Sequence, residues 1–118
     1  MYIVDRSAVT VRPTQKFLDY LNALEIKADG IPLTLSQIQS TATVYMVPDA
    51  ETPEHIVKYI DDHFEGIFTT ELASWSIEEA DYPQDMSLKA FWELFEIEVH
   101  DLVLDITDED LQNRHVPE

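Results

Sequence analysis

Thr41-Ala42-Thr43-Val44-Tyr45-Met46-Val47, stopped by Pro48 and followed at Thr52-Pro53-Glu54 by a helix start, is the passage that decides the fold. Its β-branched and aromatic residues suit a pleated strand, and Pro48 cannot continue the ladder. The two faces of this strand are chemically similar, which predicts burial on both sides or a central place in a sheet. Thr52 offers a capping oxygen, Pro53 needs no hydrogen bond at the first helical position, and Glu54 puts negative charge in the first turn. The helix that follows carries Ile56, Ile60, Phe64, Ile67, Leu72 and Trp75 down one side. Gly66 predicts a kink or a split within it.

Working outward, Tyr2 to Arg12 is rich in β-branched residues and reads as a strand closed by Pro13. Phe17, Leu18, Leu21 and Leu24 recur at helical spacing, which predicts an amphipathic helix over 14–25, ended by the Asp29-Gly30-Ile31-Pro32 turn. Thr34 is placed to cap a short helical turn over 35–40. On the other side, residues 76–86 form an acidic loop around Pro83. Ser87 then caps a helix running to about Phe95, with Leu88, Phe91, Trp92 and Phe95 as its apolar stripe. Glu96 to Ile106 reads as a third strand, and from Thr107 the chain is an acidic tail expected to fray. Three strands separated by helical excursions predict an α+β fold: a small, about three-stranded sheet with helices packed mainly on one face. At 118 residues, 1–118 is expected to be a single domain.

Charge is distributed very unevenly. The net charge is −17. Residues 1–58 carry seven acids and five bases, whereas 59–118 carry seventeen acids and two bases, Lys89 and Arg114. High charge leaves a chain unfolded only when apolar content is low, and 45% apolar residues predict a folded core. A surface of this sign repels nucleic acid and anionic membrane and attracts cations or basic proteins. There is no cysteine, hence no disulfide framework and no thiolate chemistry. The N-terminus lacks the basic segment and apolar run of a signal peptide, and no stretch is long and apolar enough to span a bilayer, so the expected location is cytoplasmic. Two glycines leave no phosphate-cradling loop, and no cofactor is expected.

Chemistry-bearing residues are few. Glu96, Glu98 and His100 alternate along the third strand and share a face. A histidine with two carboxylates could hold a divalent metal and activate water. The plainer reading is a buried or semi-buried Glu98–His100 ion pair, with Leu102, Leu104 and Ile106 carrying the same face into the core. Glu71, one helical turn before Trp75, could face His100 across the sheet and set its charge; a local capping or pairing role for Glu71 with Trp75 in the core is the alternative. Asp105, Asp108, Glu109 and Asp110 lack the spacing and turn glycine of a calcium loop and read as a solvated tail. His55 and His63 are too far apart on one helix to share a ligand, and neither Ser74 nor Ser76 has a nucleophile-elbow context. The acids able to act together are Asp61, Asp62, Glu65, Glu78, Glu79, Asp81, Asp85, Asp101 and Asp105. Either they present one surface or they serve solubility at large.

Phe17-Leu18-Asp19-Tyr20-Leu21-Asn22, Leu33-Thr34-Leu35, Tyr45-Met46-Val47-Pro48, Glu71-Leu72-Ala73-Ser74-Trp75, Tyr82-Pro83-Gln84-Asp85 and Phe95-Glu96-Ile97-Glu98-Val99-His100 together resemble a family of small acidic bacterial proteins along nearly the full chain. Leu94 stands where that family often has Trp, and Asp101 where Ser is common. The resemblance implies a folded cytoplasmic bacterial protein and carries no established activity. In composition the chain is also similar to bacterial DNA-mimic proteins, nuclease inhibitors and immunity proteins, whose carboxylates stand where phosphates would. The expected function is therefore non-enzymatic: an acidic protein that binds a basic partner, such as a nucleoid protein, a nuclease or another nucleic-acid-binding protein, with no direct contact to nucleic acid or membrane. The alternatives are a metal-dependent enzyme or metal-binding protein centred on Glu98 and His100 with Glu71, and a toxin-immunity protein.

Overall fold

Val9 and Val11 have no solvent exposure and sit on the middle strand of the sheet, which the N-terminal segment supplies. The computed structural model describes residues 1–25, 27–28 and 31–117, with 27 and 28 described by backbone alone. In chain order the elements are β1 (Tyr2–Ile3), β2 (Arg6–Pro13), α1 (Gln15–Ala23), β3 (Lys27–Ala28), β4 (Ile31–Pro32), α2 (Leu35–Gln39), β5 (Thr43–Pro48), α3 (Pro53–Ser74), a 3-10 turn (Glu79–Asp81), α4 (Leu88–Leu94), β6 (Phe95–His100) and β7 (Leu104–Asp105). The main sheet is antiparallel with order β5-β2-β6. Short pairs β1–β7 and β3–β4 stand apart from it. The α+β fold with a three-stranded sheet is as the sequence predicts.

The register sorts the side chains into two faces. Val9 stands between Tyr45 and Val99, and Val11 between Thr43 and Ile97. This face joins Phe17, Leu18 and Leu21 of α1, Ile38 of α2, Ile56, Ile60, Phe68 and Leu72 of α3 and Phe91 of α4 in one core. The other face carries Ala8, Thr10 and Arg12 of β2, Val44 and Met46 of β5, and Glu96, Glu98 and His100 of β6. Val44 and Met46 are exposed, so the similar faces of β5 do not mean burial on both sides. β5 lies at an edge and β2 is central.

Capping residues end the helices where the sequence places them. Thr34 and Gln37 form a reciprocal capping box on α2. The Thr52 side chain accepts from the backbone N–H of His55 on α3, and that of Ser87 from Ala90 on α4. Three further expectations fail. The distortion in α3 lies at His63 (φ −127°, ψ 16°), not at Gly66. There the imidazole Nδ1–H donates to the Tyr59 carbonyl at 2.8 Å and the ring stacks on Tyr59, so a side chain enters the carbonyl ladder and bends the helix. The first strand breaks at Val4 and Asp5 into β1 and β2. The third strand ends at His100; a bend at Asp101 intervenes before β7, and Leu102, Leu104 and Ile106 are exposed instead of continuing into the core. Residues 107–117 are exposed and carry no regular secondary structure, and the Asp29-Gly30 turn lies outside the described residues.

At the end of α3, Ile77 N–H donates to the Leu72 carbonyl and Ser76 N–H to that of Ala73. This paired closure puts the residue after the cap in the left-handed region, and Ser76 has φ 57°. Ile77 and Leu72, both buried, supply the apolar contact that accompanies such a cap. A side chain in this conformation costs about 1 kcal/mol that glycine avoids. Ser76→Gly is expected to raise unfolding stability by about that amount, read as a higher urea midpoint at constant slope.

Candidate functional site

Alternation along β6 puts Glu96, Glu98 and His100 on the outer face of the sheet, and each finds its own partner there. Arg12 Nη1 donates to Glu98 at 2.5 Å, and this hydrogen bond and charge hold the Glu98 carboxyl below its ordinary range. His100 Nε2 shares a 3.0 Å hydrogen bond with the Thr10 hydroxyl. Gln39 Nε2 donates to Glu96 Oε1 at 3.3 Å. The expected Glu98–His100 ion pair is therefore replaced by cross-strand pairs to β2, whose register sets Glu98 opposite Thr10 and His100 opposite Ala8. Among the described residues no three His, Asp or Glu side chains converge in a way that could hold a metal ion, and this includes the tail acids.

Glu71 lies on the opposite side of the sheet from His100. It projects from α3 under the inner face of β5, where Thr43 Oγ1 donates to its Oε2 at 3.3 Å. His100 faces outward from β6, with β2 between the two strands. The sheet separates them, so the Glu71–His100 couple is not formed. Glu71 is only 6% exposed. Burial raises its pKa from 4.5 to about 7, partly offset by the hydrogen bond from Thr43 and by the nearby Tyr45 hydroxyl. Tyr45 is pushed upward as well, first by burial and then by the Glu71 carboxyl. The Tyr45 hydroxyl is buried without a well-formed hydrogen bond. Beside this pair a groove of about 200 Å³ is lined by Thr41, Thr43, Ser74 and Trp75. Trp75 is half-buried against the core, with its ring 6.2 Å from that of Phe17. Sequence reading passed over Tyr45 as a partner, but the signal exists: Glu71 sits four residues after Ile67, on the apolar stripe of α3, where a carboxylate must find donors or keep its proton.

The acids expected to act together occupy three places. Asp61, Asp62 and Glu65 lie on α3; Asp61 accepts from Trp92 Nε1 at 2.7 Å, and Asp62 pairs with Lys58 at 2.8 Å. Glu78, Glu79, Asp81 and Asp85 lie in the α3–α4 connection, where Asp85 accepts from the backbone N–H of Ser87 at 3.0 Å and is held below its ordinary pKa by Ser87. The Asp81 carbonyl receives the Tyr20 hydroxyl, which ties this connection to α1. Asp101 and Asp105 follow β6, and Asp105 is held low by hydrogen bonds from Thr107. Seven of the nine are exposed, with Asp61 and Asp105 half-buried.

No family model, curated protein or solved structure matches this chain. Among the described residues no helix is long and apolar enough to cross a membrane.

Proposed function

We propose that this chain is an acidic interaction protein of the bacterial cytoplasm that binds a basic, nucleic-acid-binding protein by offering carboxylates in place of phosphates. One observation carries the reading. Of the six bases among the residues whose side chains are described, four are tied up in local ion pairs: Arg6 with Asp5, Arg12 with Glu98, Lys16 with Glu93 and Lys58 with Asp62. The remaining carboxylates of the second half greatly outnumber any base that could neutralise them, so the surface field stays strongly negative. Such a field speeds encounter with a cationic partner and weakens as salt screens it. Fixed carboxylates on a folded surface also compete with DNA for the same lysines and arginines.

A labelled DNA duplex held by a purified basic nucleoid protein tests this directly. At about 0.1 M salt, where the screening length is about 10 Å, added protein is expected to release the duplex, with fluorescence anisotropy falling towards that of free DNA. DNA that stays bound at a hundredfold excess of the protein would overturn the proposal.

A further inference from the structure

Beyond β6 the surface changes character. A groove of about 470 Å³ has an apolar floor of Val4, Met46, Val103, Leu104, Ile106 and Leu111. Its size is that of a pocket able to hold a ligand group, roughly 300 to 1,000 Å³. Met46 and Leu104 are each 47% exposed, and Ile106 and Leu111 more so. Apolar area left open to water in one place, with a polar rim, marks a contact surface. Here the charged side chains of the rim are all of one sign: Asp105, Glu109 and Asp110 border the groove, and Asp108 joins them around the adjoining cleft at Tyr2. No Lys or Arg lines either depression among the described residues.

This combination selects an occupant. A second copy of the chain would bring two acidic rims together at −17 each, which repulsion opposes. An anionic lipid surface is refused for the same reason. A neutral apolar ligand would leave the rim without a role. We infer that the groove receives a cationic peptide segment of the partner in which apolar side chains alternate with lysine or arginine, the apolar groups seated on Met46, Leu104 and Leu111 and the cations over Asp105, Glu109 and Asp110. The inference rests on the acidic-interaction reading and adds to it a docking point: charge gathers the partner, and the apolar floor fixes where it binds.

Two labelled twelve-residue peptides of equal positive charge separate the two ideas, one alternating Lys with Leu and one alternating Lys with Ser. Anisotropy titrations at about 0.15 M salt, where screening reaches about 8 Å, are expected to show the Lys/Leu peptide binding at least tenfold more tightly. Met46→Gln and Leu111→Gln change no charge and touch exposed side chains, so the fold is retained. Each is expected to bring Lys/Leu binding close to that of the Lys/Ser peptide, whose own affinity stays unchanged. Equal affinity of the two peptides for the native protein would overturn the docking groove while leaving the acidic-interaction reading intact. Failure of both peptides to bind even at about 0.05 M salt, where screening is weaker, would overturn both. Sedimentation showing a dimer that Met46→Gln dissolves would overturn the inference by assigning the groove to a second copy.

Discussion

Phe91→Ala is expected to destabilise the protein by about 3 to 5 kcal/mol. Phe91 has no solvent exposure, and its ring centroid lies 5.5 to 6.0 Å from those of Phe64, Phe68, Trp92 and Phe95. Those partners come from α3, α4 and β6, so one ring joins α3 and α4 to the sheet. Truncation removes the buried area and leaves a hole bounded by other rings, which cannot collapse without breaking their own tilted and edge-on contacts. Against a typical domain stability of 5 to 15 kcal/mol, this is a large share. At this chain length it corresponds to a fall in Tm of roughly 15 °C. Ile106→Ala is the matched control. Ile106 is 78% exposed, and the change is expected to stay within about 0.5 kcal/mol. Urea unfolding followed by tryptophan fluorescence measures both. A loss below about 1 kcal/mol for Phe91→Ala would place the core elsewhere.

The second large effect is on pH dependence and belongs to Glu71. In the unfolded chain its carboxyl titrates near 4.5, and in the folded protein near 7, because burial disfavours the charged form. Below pH 4.5 both states hold the proton and folding carries no penalty from this group. Between pH 4.5 and 7 the unfolded chain releases the proton while the folded state keeps it, so stability falls as pH rises. Past pH 7 the folded state must ionise a buried carboxyl and the loss is complete, roughly 3 kcal/mol. Mutual repulsion among the ionised carboxylates acts in the same direction, whereas Asp85, Glu98 and Asp105, whose pKa values are lowered, act in the opposite one. The difference between the native protein and Glu71→Gln isolates the buried group. At pH 8 the variant is expected to be more stable by roughly 3 kcal/mol, and at pH 4.5 or below the two should nearly coincide. Parallel stability curves from pH 4 to pH 8 would show that Glu71 ionises in the folded protein as it does in water.

Signals that act locally are legible in the sequence. The hydroxyls of Thr34, Thr52 and Ser87 cap the helices they precede, and the apolar periodicities of α1 and α3 face the core. What the sequence hides is set by neighbours. The two faces of β5 look alike, yet one meets the core and the other lies open, because that depends on which strand sits beside it. The apolar alternation through Leu102, Leu104 and Ile106 resembles continued strand, but the bend at Asp101 carries those residues out to solvent, where Leu104 and Ile106 line a groove. Gly66 marks helix weakness by composition, whereas the actual distortion comes from the ring of His63 against its own backbone. For the candidate site, the shared face of Glu98 and His100 is plain from alternation. Their separate partners, Arg12 and Thr10, follow only from the register with β2. The placement of Glu71 on the side of the sheet away from His100 is not legible in the sequence, because a helix period says which way a side chain turns and not which strand it meets.

Charge on this chain matters for recognition only if particular carboxylates do more than the rest. Displacement of labelled DNA from a basic nucleoid protein, repeated with three sets of Asn and Gln substitutions, measures that directly. One set covers Asp61, Asp62 and Glu65, one Glu78, Glu79, Asp81 and Asp85, and one Asp101 and Asp105. A localised binding surface predicts that one set raises the concentration for half-release at least tenfold, about 1.4 kcal/mol, while the other two raise it by no more than about twofold to threefold, as loss of general charge would. Losses that simply track the number of charges removed, whichever set is changed, would contradict it.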